Sequence, residues 1–570
     1  MARRGALRVV PAIAVALFLL PIAAGLLGTL LPAFGYLPAI GGRTLSLDPW
    51  RALLAYPGFD SSLTTTLVTG VTATLLSVAL AVGFCAVAHG GSMARRATAW
   101  VAPVLSTPHA AIAIGVAFLI APSGWIARAL SPWLTGWDLP PDFATTGHPS
   151  GWPLIACLVL KEVPYLVLMI AGALHQVPAA AQLALARSLG YGRIEGWIKV
   201  VLPQVYPQIR LPIYAVLAFS LSVVDVAILL GPGNPPTLAV LAVRWFGDAD
   251  IASYFPAAAA ACLSLAIVIA AIAAWRLAEI AVAKVGRRWL ARGGRAGIAT
   301  LASRAAYFTT LAAFAASALA VTGMLLWSFA AQWRFPSALP DAWTLANWTR
   351  LVAEVATPFV TTLVLGTLAA AIAVVLAAGC LENEALSRHR AGTRSLRILY
   401  LPLLVPQIAF LFGAQVLLIR AGLDGTLSAT LWAHLVFVLP YVFLSLADPW
   451  RALDPRYART AASLGASPWR VLLRIKLPLL AGPLMIAAAV GFAISVGQYL
   501  PTLFAGNGRV ATLTTDAVTL AAGADRRVIG VYAVLQALLP CVVYLAAVLI
   551  PRRLGASARA AGGVPAGVPR

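Results

Sequence analysis

The chain has 570 residues, of which 61% are hydrophobic and only 11% are charged. It contains many apolar runs of the ~20 residues needed to cross a bilayer, so the composition predicts an all-α, polytopic membrane protein rather than a soluble one. The formal net charge of +22 would suggest nucleic-acid binding in a soluble protein. Here the basic residues are concentrated in the loops on one side of the predicted membrane, and no nucleic-acid partner is expected.

Twelve apolar segments are predicted to be transmembrane helices, six in each half of the chain. They are residues 9–32, 63–88, 98–121, 152–174, 209–231, 257–281, 305–330, 357–381, 398–420, 428–447, 481–500 and 531–551. The first follows Arg3, Arg4 and Arg8, as the apolar part of a secretory signal would. It is longer than such a signal and eleven spans follow it, which favours a retained helix.

The distribution of basic residues predicts the orientation. With the N-terminus inside, 30 of the 41 Lys and Arg residues fall in inside segments and 10 fall in outside loops. This excess follows the positive-inside rule, so both termini are predicted to be cytoplasmic. The cysteines lack paired spacing and the histidines lack a second ligand one helical turn away, so neither a metal site nor a cofactor is predicted.

A polar, basic segment occurs twice, 275 residues apart. Gly190 and Pro203 in the first copy are 13 positions apart, as are Gly465 and Pro478 in the second. Matches extend into the spans; the matching pairs include Thr65 with Thr361, Gly70 with Gly366, Gly83 with Gly379, Pro108 with Pro406, Gly115 with Gly413, Pro164 with Pro440, Ser220 with Ser495 and Thr237 with Thr512. The pattern predicts two six-helix repeats, residues 1–290 and 291–570. An even number of spans per repeat implies parallel halves with a pathway between them.

The two copies, residues 178–203 and 453–478, have two possible roles. Ile194, Trp197, Ile198 and Val201 recur at helical spacing, which suits an interfacial helix lying on lipid. Duplication at equivalent places instead favours docking to a pair of identical partners. None of the four lysines of the chain follows a glycine, which excludes a phosphate-binding Gly-Lys-Ser/Thr loop and assigns any ATP hydrolysis to a separate subunit.

These two segments resemble the coupling motif of bacterial ABC importer permeases of the MetI-like type. That motif usually reads Glu-Ala-Ala, three residues, Gly, nine residues, Ile-x-Leu-Pro. The positions that match it are Ala186, Gly190, Val200, Leu202 and Pro203 in the first copy and Ala461, Gly465, Ile475, Leu477 and Pro478 in the second. The leading Glu is replaced by Ala184 and Arg459, so a salt bridge from that position to an ATPase is not expected.

The resemblance covers nearly the whole chain and indicates the fused permeases of the ferric-iron and thiamine importer group. Residues 495–503 and 512–515 are most similar to the Ynj-type inner-membrane permease. The resemblance implies two ATP-binding subunits, a periplasmic solute-binding protein and a location in the bacterial inner membrane. It implies coupling roles for Ala186, Ser188, Leu189, Gly190, Trp197, Leu202, Pro203, Ala461, Ser463, Leu464, Gly465, Leu477 and Pro478.

Charged residues inside the spans are candidates for the solute pathway. Lys161 and Glu162 lie in the fourth predicted span and Asp225 in the fifth, where each costs roughly 2.5–3.5 kcal/mol on insertion scales. Either Lys161 and Asp225 form an interhelical ion pair, or the carboxylates contact solute. Gln498 and Tyr499 are the polar candidates of the second half.

The sequence therefore predicts a permease subunit that catalyses no covalent chemistry and is driven by separate ATPase subunits. An ion-coupled secondary transporter is the alternative, but it leaves the duplicated segments without a purpose. A membrane-embedded enzyme is a third possibility, and no acid/base or metal cluster in the outside loops supports it. The sequence does not identify the solute, which could be ferric iron, thiamine, a polyamine or another small molecule.

Overall fold

The computed structural model describes residues 2–89, 105–293, 298–387, 399–523 and 525–561. Within them the chain is helical apart from loops and one two-stranded hairpin, as the composition predicts. Nine helices of this described part are long and apolar enough to cross a membrane, and a tenth candidate is a pair of helices bent by 76°. The predicted starts of the third and ninth spans, at residues 98 and 398, lie outside the described residues.

The described residues of the first half form twelve α-helices. They are α1 (Ala2–Ala33), α2 (Asp48–Leu54), α3 (Phe59–Ala88), α4 (His109–Ile120), α5 (Trp125–Leu130), α6 (Trp152–Leu174), α7 (Ala179–Ser188), α8 (Arg193–Gly196), α9 (Leu202–Ser222), α10 (Asp225–Leu230), α11 (Leu238–Phe246) and α12 (Tyr254–Ala291). A π-helical turn, Trp197–Val201, joins α8 to α9, and short 3₁₀ turns lie at Pro38–Ile40 and Ile251–Ser253.

The second half begins with α13 (Ile298–Phe329) and a hairpin of β1 (Ala330–Gln332) and β2 (Ala342–Trp343). The helices that follow in the described residues are α14 (Ala346–Ser387), α15 (Leu401–Leu404), α16 (Ile408–Arg420), α17 (Leu427–Ala452), α18 (Pro455–Ser463), α19 (Pro468–Val471), α20 (Leu477–Leu479), α21 (Ala481–Val496), α22 (Leu500–Gly506), α23 (Leu513–Leu520) and α24 (Arg526–Ala561). A second π-helical turn, Leu472–Lys476, joins α19 to α20.

Two spans that the sequence predicts as continuous are broken at equivalent places. In the first half α9 ends at Ser222 and α10 begins at Asp225; in the second half α21 ends at Val496 and α22 begins at Leu500. Val223 has extended dihedrals, with ψ 138°, so the helical hydrogen bonds are interrupted there. Apolar composition alone cannot reveal such a break, because the broken and continuous forms bury the same side chains.

A second pair of breaks follows from proline. His109 begins α4 directly after Pro108, and α16 begins two residues after Pro406, which follows the extended residue Val405. Proline disfavours a helical conformation in the residue before it, so a helix restarts after Pro108 and after Pro406. The matched prolines therefore mark matched helix starts inside two predicted spans.

The first long helix of each half packs against the other half. Helix α1 lies along α16 and α14, whereas α13 lies along α3 and α4. Matched glycines permit both contacts: a Cβ on Gly115 would lie 2.7 Å from the carbonyl oxygen of Ala320, and a Cβ on Gly413 would collide with the carbonyl oxygen of Gly25. The Thr29 hydroxyl also accepts a hydrogen bond from the Gly413 N–H at 3.1 Å. The two sequence repeats therefore exchange their first helices.

The hairpin closes one end of the helix bundle and joins the halves there. Arg128 of α5 is buried and donates hydrogen bonds to the carbonyls of Arg334 at 2.7 Å and Trp333 at 3.2 Å, with the Trp333 ring centroid 5.2 Å away. The Arg334 N–H and the Ser337 hydroxyl hold the pKa of Asp341 below its usual value. Asp341 therefore stays ionised to a lower pH than an ordinary aspartate, and its hydrogen bonds hold the hairpin loop together.

Candidate coupling segments and pathway

The two duplicated segments adopt the same local structure. Each has a helix, α7 or α18, a glycine with positive φ, a short helix, α8 or α19, and then a π-helical turn. Gly190 has φ 81° and Gly465 has φ 80°, the left-handed region in which a side chain is disfavoured. The two matched glycines therefore adopt the same left-handed backbone conformation.

Hydrogen bonds show why each helix ends at its glycine. The Gly190 N–H donates to the Arg187 carbonyl at 2.9 Å, and the Tyr191 N–H donates to the Ala186 carbonyl at 3.0 Å. In the second copy the Ala466 N–H donates to the Ala461 carbonyl, also at 3.0 Å. This is the Schellman arrangement, which satisfies the last carbonyls of a helix and needs a left-handed residue. Ala186 and Ala461 are both buried, so a larger side chain at either position would disturb the turn.

Each turn presents one leucine to solvent. Leu189 is 57% exposed and Leu464 is 83% exposed, and the adjacent Ser188 and Ser463 are exposed too. Trp197, in contrast, is 0% exposed and lies in the core beneath the first segment. Both leucines therefore lie at the surface of their segments, whereas Trp197 packs beneath the first one.

The first segment is held by aromatic contacts. Lys199 is buried, with its Nζ 4.3 Å from the ring centroid of Trp289 at the end of α12 and 5.1 Å from that of Tyr191. A cation over an aromatic face is attracted to the ring electrostatically. Gln182 and Gln204 add a pair of amide hydrogen bonds, at 2.9 and 3.0 Å, between α7 and α9.

The second segment is held by ion pairs instead. Lys476 Nζ lies 2.7 and 2.8 Å from the two carboxylate oxygens of Glu382, with side-chain exposures of 12% and 3%. Arg451 makes a bidentate pair with Glu384 at 3.0 and 3.1 Å. Both glutamates lie near the end of α14, whose 42 residues at ~1.5 Å each exceed the ~30 Å hydrocarbon core. The helix can thus span the bilayer and still reach the coupling segment.

The buried charges near the middle of the bundle make contacts other than the predicted one. Lys161 donates to the Thr107 carbonyl at 2.6 Å, and Glu162 Oε1 lies 3.3 Å from His109 Nε2. No ion pair in the described part of the chain joins Lys161 to Asp225, so that interpretation was wrong. Lys161 therefore contacts the backbone just before α4 begins.

The helix breaks bring polar groups of the two halves together. Asp225 is buried at the first break and lies close enough to both His109 and Tyr499 to interact electrostatically. At the second break, a Cβ on Gly497 would lie 3.8 Å from the Pro108 side chain of the first half. The interface between the halves therefore contains both breaks. Of the predicted pathway residues, Asp225 and Tyr499 come close enough there to influence each other electrostatically.

A comparison with known proteins identifies the family. The Escherichia coli (strain K12) protein described as inner membrane ABC transporter permease protein YnjC is 32% identical over 511 residues, which cover 90% of this chain and 92% of that protein. The chain belongs to the family of ABC transporter permeases. It is a multi-pass inner-membrane protein, and its resemblance to the Ynj-type permeases is confirmed.

Shorter permeases match only part of this permease. The molybdenum transport system permease protein ModB of Mycobacterium bovis is 34% identical over 186 residues, 30% of this chain and 70% of ModB. The putative 2-aminoethylphosphonate transport system permease protein PhnV of Salmonella typhimurium is 27% identical over 187 residues, 32% of this chain and 68% of PhnV. No family model matches the chain.

Three functional candidates in this permease escaped the sequence analysis. His109 is not predicted to bind a metal, because no second ligand lies one helical turn away. It nevertheless directly follows the matched Pro108 and contacts Glu162. Glu382 lies at the end of a predicted span, where its pairing with Lys476 depends on tertiary structure. His434 lies in the core of the second half, between Ser495 and Thr502. No spacing rule could have linked residues 61 and 68 positions apart.

Proposed function

We propose that the chain is the complete membrane-spanning part of an ATP-driven, binding-protein-dependent importer. The observation that carries the proposal is the pair of equivalent turns at Gly190 and Gly465, each presenting an exposed leucine. Two equivalent docking surfaces suit two copies of one ATPase subunit. The matches to ModB and PhnV support two repeats in one chain, because each covers about two thirds of a shorter permease with about a third of this one.

The solute pathway runs between the halves, past the helix breaks at residues 223–224 and 497–499. Broken helices at the interface of repeats are where transporters commonly hold their solutes, because backbone freed from the helix can hydrogen-bond there. Glu162, Asp225, Gln498 and Tyr499 line this pathway. ATP-driven movement of the coupling segments alternates access to it from the two sides. A solute-binding protein delivers the solute on the periplasmic side, and both termini are cytoplasmic.

The chain itself performs no covalent chemistry. The named relatives are described as permease proteins of transport systems, which supports a transport subunit. The ATPase subunits supply the free energy and the permease supplies the pathway. The solute stays unassigned, since the named relatives are described as transporting chemically different compounds.

Reconstitution tests the proposal against an ion-coupled carrier. The permease would be purified with its associated ATPase and placed in liposomes with the solute-binding protein outside and ATP inside. We expect solute uptake that requires ATP and the binding protein and that persists when ion gradients are dissipated. Uptake driven by an ion gradient in the absence of ATP would contradict the proposal and support the secondary transporter.

A further inference from the structure

A buried histidine bridges the helix break of the second half. His434 lies on α17 and is 1% exposed. Its Nδ1 lies 2.7 Å from the hydroxyl of Ser495, before the break, and its Nε2 lies 2.9 Å from the hydroxyl of Thr502, after it. One side chain thus holds both ends of the interrupted segment 497–499.

The hydrogen bonds fix the state of the imidazole. The Thr502 hydroxyl donates to the carbonyl of Gln498 at 2.7 Å, so its oxygen must accept from His434 Nε2–H. Nδ1 is then the acceptor, and the Ser495 hydroxyl donates to it. This assignment satisfies both ring nitrogens and both hydroxyls with a neutral imidazole. The carbonyl of Gln498, freed by the break, is part of the same network.

The first half has no such bridge. At the positions equivalent to His434 and Thr502, the first half has Leu158 and Ala227. Ser220, equivalent to Ser495, is retained, but its buried hydroxyl has no hydrogen-bond partner among the described residues. At the break at residues 223–224, the Asp225 carboxylate accepts hydrogen bonds from its own N–H and that of Val226, which lie on one side of the break, so these bonds do not join its two ends. The two halves share the interruption but not the side chain that fixes it.

We propose that His434 is a positioning residue that fixes residues 497–499 against the first half, while the break at 223–224 is left free to move. The proposal rests on the pathway described above. Gly497 lies against Pro108 and Tyr499 lies near Asp225, so a fixed second break holds Gln498 and Tyr499 at the interface between the halves. The second half then serves as the rigid wall of the pathway and the first half as its moving wall.

The variant His434→Leu tests this by giving the second half the residue of the first. It should fold, because Leu is apolar and of similar size. Thr502 keeps its bond to Gln498, and Ser495 can bond the carbonyl four residues back, as Ser222 does at 2.7 Å and Ser317 at 3.0 Å. Amide hydrogen exchange of the purified permease should be at least tenfold faster at residues 496–503 and unchanged at residues 220–227.

Matched variants separate positioning from a general loss of packing. Ser495→Ala should also speed exchange at residues 496–503, whereas Ser220→Ala, which removes a hydroxyl without a partner, should change nothing. His434→Asn and His434→Gln each retain one ring-nitrogen position and should give intermediate exchange. Unchanged exchange in both His434→Leu and Ser495→Ala would overturn the proposal. If His434→Leu failed to fold, Ser495→Ala would decide the question.

Uptake measurements distinguish this proposal from the pathway on which it rests. With the ATPase and the binding protein present, His434→Leu should lower the uptake rate by about tenfold or more at an unchanged melting temperature and an unchanged affinity for the binding protein. Faster exchange with normal uptake would show that the bridge fixes the break but that the break lies outside the pathway. That result would overturn the pathway and with it the role of His434 in transport.

Discussion

Lys476 and Glu382 illustrate how much depends on single residues at the coupling segments. Their ion pair is almost fully buried and joins the second π-helical turn to the end of α14. Two buried opposite charges add little net stability, because desolvation offsets their attraction. Removing one partner is costly, because the other charge then stays buried alone. The pair therefore keeps the coupling segment and α14 together, because moving them apart would expose one charge or leave it buried without its partner.

Glu382→Gln should destabilise the permease and disturb coupling. Leaving Lys476 without its counter-charge should cost about 3 kcal/mol, the low end of the range for broken buried pairs, because the lysine is partly exposed. The expected result is a lower melting temperature in detergent, recovered in the double variant Glu382→Gln with Lys476→Met. Arg51→Met, in an exposed pair with Asp48 outside the coupling segments, is the control and should have no effect. Equal stability of Glu382→Gln and the unmodified permease would contradict this role.

Asp225 should behave differently, because no ion pair of the described residues includes it. Asp225→Asn therefore orphans no partner, and the amount of folded protein and its melting temperature should stay the same. Uptake should fall by at least tenfold if the carboxylate lines the pathway. Adding Lys161→Met should not restore uptake, since Lys161 bonds the Thr107 carbonyl instead. Normal uptake by Asp225→Asn would remove it from the pathway.

The coupling segments depend on backbone conformation at the scale of the element. Both turn glycines have φ near +80°, and Gly465 has no atom within 4 Å of the position of a Cβ, so any side chain would be limited by the backbone rather than by space. A β-branched residue is the least compatible with this conformation. The shape of the turn, and with it the presentation of Leu189 and Leu464, is thus set by glycine.

Gly190→Val and Gly465→Val should each uncouple ATP hydrolysis from uptake, while membrane insertion survives. Gly465→Asn should retain more activity, because Asn tolerates the left-handed region better. Gly192→Ala is the matched control: Gly192 has φ −62° and open space around it, so Ala should be neutral. The measurements are ATPase association by pull-down and the ratio of solute transported to ATP hydrolysed. Wild-type values for both valine variants would refute the docking role.

The long helices and the equivalence of the two duplicated segments could be predicted from the sequence, but the breaks could not. Long apolar runs and a repeated glycine are local signals, and they predict the spans and the matched positions Gly190 and Gly465. The break before Asp225 leaves no such mark, since Val223 and Val224 fit a continuous helix. Pro108 and Pro406 form a matched pair in the sequence, yet the apolar pattern places each of them inside a continuous predicted span. Partners such as His434 with Ser495 appear only once the helices are packed.

The whole molecule is held together by the exchange of first helices between the repeats. Helix α1 lies on α14 and α16 of the second half, and α13 lies on α3 and α4 of the first. Close contacts at Gly115 and Gly413 require both helices to be present. Each half separately would expose the apolar face that the exchanged helix covers. The repeats are units of sequence, but the folded unit is the pair.

Splitting the chain between residues 293 and 298 tests this interdependence. Either half expressed alone should be degraded or aggregate, because its own first helix loses the packing that the other half provides and its acceptor face is bare. Expressed together, the halves should assemble, co-purify and restore uptake. Gly413→Leu separates α1 from α16 and should abolish that assembly. The control is Gly422→Ala, at a position where an added Cβ has no described neighbour within 4 Å, and it should at most weaken assembly. A stable, monodisperse isolated half would contradict the exchange.

Photo-crosslinking from the two exposed turn leucines tests the central claim most directly. A photoreactive amino acid would replace Leu189 or Leu464. The control position is Leu339 of the hairpin loop, on the opposite side, which is 58% exposed. In native membranes, Leu189 and Leu464 should each crosslink to the same ATP-binding subunit, identified by mass spectrometry, and the purified complex should hydrolyse ATP. Leu339 should give no such product. An ATPase crosslink from Leu339, or none from either turn, would contradict the assignment of these segments as the docking sites of an ATP-driven permease.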